Sequence, residues 1–209
     1  MTSPVPCTAR VGAVLLAAGA STRMGRNKLL LPVDGVPLVR RTALRLLEGG
    51  VAPLVVVTGH EPTRVHEALD GLAVRYAHNP AFTGPTSGSL HAGLHALGDD
   101  ADAAVVMLTD MPHVTAAMIA DVVAVLRDGA QPVAVSRYGD VLAPPLGFAR
   151  ALWPELLAWS GEGCGKKVVL AHQHEAAILD RALGALQDLD TPDDYASYLS
   201  PRSRDAITP

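Results

Sequence analysis

Arg23, Arg26 and Lys28 fall within one short segment, Gly19–Lys28, directly after the apolar run Val11–Ala18. Ala20, Ser21, Thr22 and Gly25 are small residues of the same segment. This mixture suits a phosphate. Glycine lets the backbone approach closely, free N–H groups point at an anion, and Arg and Lys supply charge. The plainer reading is a turn between strand and helix with its basic residues in water. Glycine loops that follow buried strands in α/β proteins favour the ligand reading. Two familiar phosphate loops are excluded. A Walker A loop has Lys-Ser or Lys-Thr directly after its second glycine, whereas Arg26 and Asn27 follow Gly25. A dinucleotide fingerprint reads G-x-G-x-x-G, and Ser21 stands where its second glycine belongs.

Two carboxylates complete the set. Asp110 closes the apolar run Ala104–Leu108, and Pro112 biases Met111 toward an extended backbone. A carboxylate at a strand end faces the crevice where ligands of α/β sheets bind. It suits Mg²⁺, which takes one or two carboxylates together with substrate phosphates. A loop or helix-capping carboxylate is the alternative. Asp190 precedes Thr191-Pro192. Either it caps the helix that Pro192 opens, which local pattern favours, or it is a second metal ligand.

Alternating strands and helices must position these groups. Val11–Ala17 reads as the first strand. Val33 to Val36 is a turn signal, and Pro37 opens a helix to Glu48 with Leu38, Val39, Leu46 and Leu47 on one face. Leu54–Val57 and Val74–Ala77 are predicted strands, with a short helix from Pro62 between them. A Gly/Pro/Ser/Thr-rich loop covers Asn79–Ser89, and a helix carries Leu90, Leu94 and Leu97. After the strand Ala104–Leu108, Thr115 caps a helix to Leu126. Pro132–Ser136 is a strand with Leu146–Phe148 placed beside it. Helices follow over Ala151–Ala158 and Lys166–Ala171, then a strand over Leu186–Leu189 and a helix from Pro192 to Leu199. The pattern is that of a single α/β domain, a mostly parallel sheet flanked by helices. It is expected over residues 11–199, after an N-terminal extension over 1–10 and before a frayed polar tail over 200–209.

The totals agree. A chain of 209 residues buries roughly 70% of its unfolded surface and needs no disulfide or structural metal. At 49% hydrophobic and 4% aromatic, Val, Leu and Ala must form the core, as in a buried parallel sheet. A net charge of −4 gives no basic excess for nucleic acid. Cys7 and Cys164 lie far apart and match no metal or disulfide spacing, so a cytoplasmic setting is expected. There is no secretory signal pattern at the start, and no apolar run approaches the ~20 residues of a membrane span. His91 and His95 are four apart but lack an H-E-x-x-H context, and a wall or solvent role is preferred to zinc. His172 and His174 are expected to be exposed. A lowered thiol pKa is conceivable for Cys164 beside Lys166-Lys167, but the chemistry has no use for a thiol. Trp153 and Trp159 are expected to pack.

Leu16-Ala17-Ala18-Gly19-Ala20-Ser21-Thr22-Arg23-Met24-Gly25-Arg26-Asn27-Lys28 resembles the signature loop of the MobA-like nucleotidyltransferases, with its nearest likeness in the molybdenum cofactor cytidylyltransferase branch. Leu30-Leu31-Pro32 with Gly35 and Pro37-Leu38, the block from Asn79-Pro80 through Gly84 and Ser89-Leu90 to Gly93-Leu94, Leu108 to Pro112, and Asp188 to Tyr195 resemble further family segments in order. The resemblance spans residues 11–199. It implies a Rossmann-like, glycosyltransferase-A-like fold and CTP:molybdopterin cytidylyl transfer. The acceptor phosphate would attack the α-phosphate of the nucleotide and expel pyrophosphate. It implies Arg23, Lys28 and Asp110 as catalytic residues. Leu16, Ala17, Ala18, Gly19, Gly25, Ser87, Gly88 and Ser89 would join Arg23 and Lys28 in holding nucleotide. Asp110 and Asp190 would hold Mg²⁺. Ala18 marks the cytidine-selective form, where guanosine-selective members carry a second glycine. A client molybdoenzyme or its chaperone is an implied partner. Thr109 stands where Gly or Ala is usual, Ala143-Pro144-Pro145 where many members have G-H-P, and Gly161 to Lys166 where G-D-x-G-A-R is common. In that last segment Lys166 would act as a point charge in place of an arginine fork. These departures fall in the acceptor half. A sugar phosphate or other phosphorylated acceptor, and a nucleotide-binding partner without turnover, are the alternatives.

Overall fold

Every residue of Val11–Ala17 is buried, so this strand, β1, must be covered on both faces and paired on both sides. In the computed structural model, which describes residues 9–200, it is. The two-residue strands β2 (Pro32–Val33) and β3 (Val36–Pro37) form a small hairpin around Asp34-Gly35. The main strands that follow are β4 (Leu54–Thr58), β5 (Val74–His78), β6 (Ala103–Leu108), β7 (Val133–Tyr138), β8 (Val141–Ala149) and β9 (Ala176–Arg181). They form a seven-stranded sheet with β1, in the order β5-β4-β1-β6-β8-β7-β9. β8 alone runs antiparallel to its neighbours β6 and β7. The fold is therefore a single α/β domain with a mostly parallel sheet.

Helices cover both faces. α1 (Leu38–Glu48), α2 (Pro62–Ala68) and α4 (Ala116–Asp128) supply Val39, Leu46, Val65, Ile119 and Val122 to one core. α3 (Thr86–Leu97), α5 (Trp153–Ala158) and α6 (Lys166–Ala171) supply Leu90, Leu94, Trp153, Leu156 and Val168 to the other. Thr115 caps α4 by accepting from the Met118 N–H, and Gly129 ends that helix in a left-handed conformation. α7 (Pro192–Leu199) packs Tyr198 with Val33, Leu38 and Leu189 in a small third core.

The chain steps from β1 outward to β4 and β5, then returns to place β6 on the other side of β1. The order reverses there, so the crevice beyond the carboxyl ends of β1 and β6 is the expected ligand site. The signature loop follows β1, and Asp110 follows β6.

Three expectations need correction. Leu186–Leu189 is not a strand: Leu183–Leu186 forms a 3-10 turn, and Leu189 N–H makes a single bond to Asp110 O at 2.9 Å in place of a ladder. The last strand is β9, at the sheet edge. Its apolar stretch, Ala176–Leu179, is only four residues long, and Ile178 and Asp180 are exposed. Ser87 to Ser89 lie in the first turn of α3, not in a loop. His172 is half-buried against Glu155, while His174 is exposed. The expected N-terminal extension and tail lie, apart from residues 9, 10 and 200, outside the described residues. Among the described residues no helix is long and apolar enough to cross a membrane.

Candidate active site

The signature loop leaves β1 at Ala18, which is buried, and Gly19, which is exposed. Ser21 and Gly25 both take left-handed backbone angles and bracket the 3-10 turn Thr22–Met24. Met24 is buried and anchors the turn. The Ser21 hydroxyl accepts from the Lys28 N–H at 3.1 Å, closing the loop on itself. Asn27 accepts from the Leu29 N–H and donates to Glu61 at 3.0 Å, tying the loop to the start of α2.

The backbone between β1 and the loop is held from both sides. The Thr109 hydroxyl donates to Leu16 O at 2.9 Å, and the His60 N–H donates to Ala18 O at 3.0 Å. Gly59 permits the second contact. A Cβ there would lie 2.7 Å from Ala18 O and 2.4 Å from Phe82 Cβ.

Lys28, Asp110, Asp190 and Arg23 meet at the crevice. Lys28 Nζ donates to Asp110 Oδ2 and to Asp190 Oδ1, each at 2.6 Å. Arg23 donates to Asp190 Oδ2 at 2.7 Å. Burial lowers the Lys28 pKa, but Asp110 and then Asp190 outweigh it, so the pKa is raised and the ammonium stays charged. Asp190 is lowered against the cost of its own burial by Lys28 and Arg23. Asp190 does not cap α7. Thr191 does, with Asp194 completing a capping box. Asp194 Oδ2 also accepts from the Asp190 N–H at 3.1 Å, so the box orients Asp190.

A cavity of about 170 Å³ lies beside these groups, lined by Leu16, Ala18, Gly19, Lys28, Leu29, Phe82, Gly84, Thr86, Ser89, Leu108, Thr109 and Asp110. A second cavity of about 150 Å³, lined by Gly19, Ser21, Thr22, Arg23, Lys28 and Asp190, shares Gly19 and Lys28 with it. The first is mixed in character and could take a base and ribose. The second is lined by cations and loop backbone and could take phosphates.

Among the expected site residues, Leu16, Ala18, Gly19, Arg23, Lys28, Ser89, Asp110 and Asp190 therefore come together. Ala17 belongs to the core beneath β1. Gly25 shapes the loop without lining either cavity. Ser87 is buried and accepts from the Gly161 N–H at 3.1 Å, and Gly88 lies against Asn79. Phe82, Thr86 and Thr109 also line the larger cavity, and none of them stands out by type or spacing in the sequence. Asp188 lies nearby without lining either cavity; burial of its carboxyl, then Asp110 and Asp190, push it up to about 6, although the residue as a whole is exposed.

Among the described residues no cluster of three or more His, Cys, Asp or Glu gathers as a metal site. Two carboxylates are present, and Mg²⁺ needs one or two when phosphates supply the rest. Asp110 Oδ1 is buried and makes no hydrogen bond. A buried carboxylate oxygen without a donor is unfavourable, and a cation would satisfy it. His91 donates to or accepts from nothing metal-like: its Nε2 lies 3.0 Å from Leu156 O, and His95 is exposed. Cys164 is buried, and burial, then Asp110 and Glu162, push its thiol up to about 12. The shift runs opposite to the lowered pKa that Lys166-Lys167 suggested. Trp153 is buried beneath Arg150, and Trp159 packs at Gly161.

Residues 13–177 match the MobA-like NTP transferase domain. The chain belongs to that family of nucleotidyltransferases. It is 28% identical over 197 residues to the purine catabolism protein PucB of Bacillus subtilis, covering 87% of this chain and 92% of that one. It is 32% identical over 156 residues to a probable molybdenum cofactor guanylyltransferase of Synechococcus elongatus, covering 72% and 78%. The crystal structure of Rv0371c from Mycobacterium tuberculosis superposes with a TM-score of 0.81 at 27% identity, covering 92% and 98%. The same protein in complex with manganese gives a TM-score of 0.75 at 29% identity, covering 91% and 98%.

Proposed function

We propose that the chain is a Mg²⁺-dependent cytidylyltransferase that joins the CMP moiety of CTP to the phosphate of molybdopterin and releases pyrophosphate, acting in the cytoplasm. The observation that carries this reading is the convergence of Lys28 with Asp110 and Asp190 beside a cavity whose wall includes Ala18. The relative named for guanylyl transfer to the same cofactor supports molybdopterin as acceptor, and the manganese complex of Rv0371c supports a divalent ion. Ala18 favours cytidine over guanosine.

An acceptor phosphate is already an anion, so it needs no general base. One of its oxygens forms a bond to the α-phosphorus while the bridging oxygen to the β-phosphorus leaves with pyrophosphate. The chain's part is positioning and charge. Arg23 and Lys28 would bind the triphosphate, and the loop N–H groups would orient it. Asp110 and Asp190 would hold Mg²⁺, which when bound neutralises phosphate charge. Ser89 and the main chain at Leu16–Ala18 would orient the nucleoside.

The test is pyrophosphate release with Mg²⁺ and each nucleoside triphosphate in turn, with and without molybdopterin. Release that needs CTP and molybdopterin together is expected. No release under any pairing would reject the enzyme.

A further inference from the structure

Lys28 is bonded to the two carboxylates assigned to the metal. Its ammonium nitrogen lies 2.6 Å from one oxygen of each. Arg23 takes the second oxygen of Asp190. The remaining oxygen, Asp110 Oδ1, is buried and unbonded. The Lys28 and Asp110 side chains are 14% and 19% exposed, so water screens their charges poorly. A Mg²⁺ ion needs oxygens at roughly 2.0–2.1 Å in near-octahedral order. It would have to draw on the oxygens that the ammonium already uses, and like charges at that separation repel strongly in a poorly screened site.

Resting on the metal assignment above, we propose that Lys28 is an internal cation that keeps divalent metal off Asp110 and Asp190 until a triphosphate draws it away. The triphosphate offers Lys28 and Arg23 new anionic partners. Their departure frees three carboxylate oxygens, Asp110 Oδ2 and both of Asp190, beside the unbonded Asp110 Oδ1. Metal and nucleotide then favour each other's binding beyond their own affinity in water. That coupling is reciprocal by linkage. It also prevents Asp110 and Asp190 from repelling an incoming triphosphate, because their charge is neutralised beforehand.

The experiment is Mn²⁺ binding to the full chain, followed by the loss of the free-ion electron paramagnetic resonance signal. It is run without nucleotide and with a non-hydrolysable CTP analogue, after subtracting binding to the analogue alone. Without nucleotide, Lys28→Met is expected to bind Mn²⁺ about 10-fold more tightly than the unaltered protein, within the range usual for coupled sites. Lys28→Gln is expected to gain similarly, and Lys28→Arg to stay close to the unaltered protein. Adding Asp110→Asn to Lys28→Met should abolish the gain. The proposal is overturned if folded Lys28→Met or Lys28→Gln binds Mn²⁺ no more tightly. It is equally overturned if the unaltered protein binds Mn²⁺ as tightly without the analogue as with it, a measurement that needs no variant. Pyrophosphate release by the unaltered protein separates the two claims. A gain in the Lys28 variants with no turnover by the unaltered protein sinks the reaction and supports the exclusion; turnover by the unaltered protein with no gain in the variants does the reverse.

Discussion

The hydroxyl of Thr109, one residue past the last β1–β6 pair Leu16–Leu108, donates to the main-chain carbonyl of Leu16 at 2.9 Å. Thr109 is 2% exposed, and its own carbonyl accepts from Thr42 at 3.3 Å. The bond fastens the strand that carries Asp110 to the strand that carries Ala18. Thr109→Val keeps the shape and removes the donor, leaving a buried carbonyl without it. A loss of about 1–3 kcal/mol is expected, measured by urea unfolding, with Thr109→Ser retaining most of the stability. Equal stability of the Val and native proteins would mean that the bond contributes nothing.

Gly59 makes an opposite kind of prediction. Gly59→Ala adds a methyl that meets Ala18 O and Phe82, so the wall of the larger cavity must move. The stability cost is expected to be about 1–3 kcal/mol, as for overpacking. CTP affinity, read by calorimetry, should fall as well. Native affinity in this variant would show that the cavity wall is not the nucleoside site.

Cys164 is expected to be inert. With its thiol pushed up to about 12 by burial, Asp110 and Glu162, it carries almost no thiolate at pH 8. Treatment of folded protein with iodoacetamide should leave the peptide containing Cys164 unmodified by mass spectrometry. The same treatment in denaturant should modify it. Rapid labelling of the folded protein would contradict its placement.

The start of β1 predicts an acid dependence. Arg10 bonds to Asp102 through its side chain and N–H, and these bonds lower the Asp102 pKa from 3.8 to about 2. A carboxylate depressed in the folded state stabilises above its unfolded pKa, and loses that contribution as pH falls through the folded value. The stability difference between native protein and Asp102→Asn should thus be constant above about pH 5 and shrink between pH 4 and 2. A difference that grows as pH falls would reverse the assignment.

Much of this site is legible in the chain because its donors sit at abrupt changes of pattern. Val11–Ala18 is apolar without interruption and then breaks at Gly19. Ala104–Leu108 breaks at Asp110 in the same way. Such breaks mark strand ends, and strand order does the rest. The meeting of Lys28 with Asp190 is not legible, since it depends on Leu189 running past the end of β6 and on the Thr191–Asp194 box turning Asp190 inward. The β9 strand escaped detection because Ile178 and Asp180 face outward at an open sheet edge. Ser87 illustrates a further limit. Its place beside Ser89 suggests a shared role, but helical geometry turns the two hydroxyls toward different partners, Gly161 and Asn79.

The mass of the product formed in one reaction containing the four nucleoside triphosphates, molybdopterin and Mg²⁺ tests the central claim most directly. A molybdopterin adduct heavier by one cytidylyl group, formed in step with pyrophosphate and absent with Asp110→Ala, is the predicted result. A guanylyl or adenylyl adduct would contradict the cytidine assignment made from Ala18, and unchanged molybdopterin would contradict the acceptor.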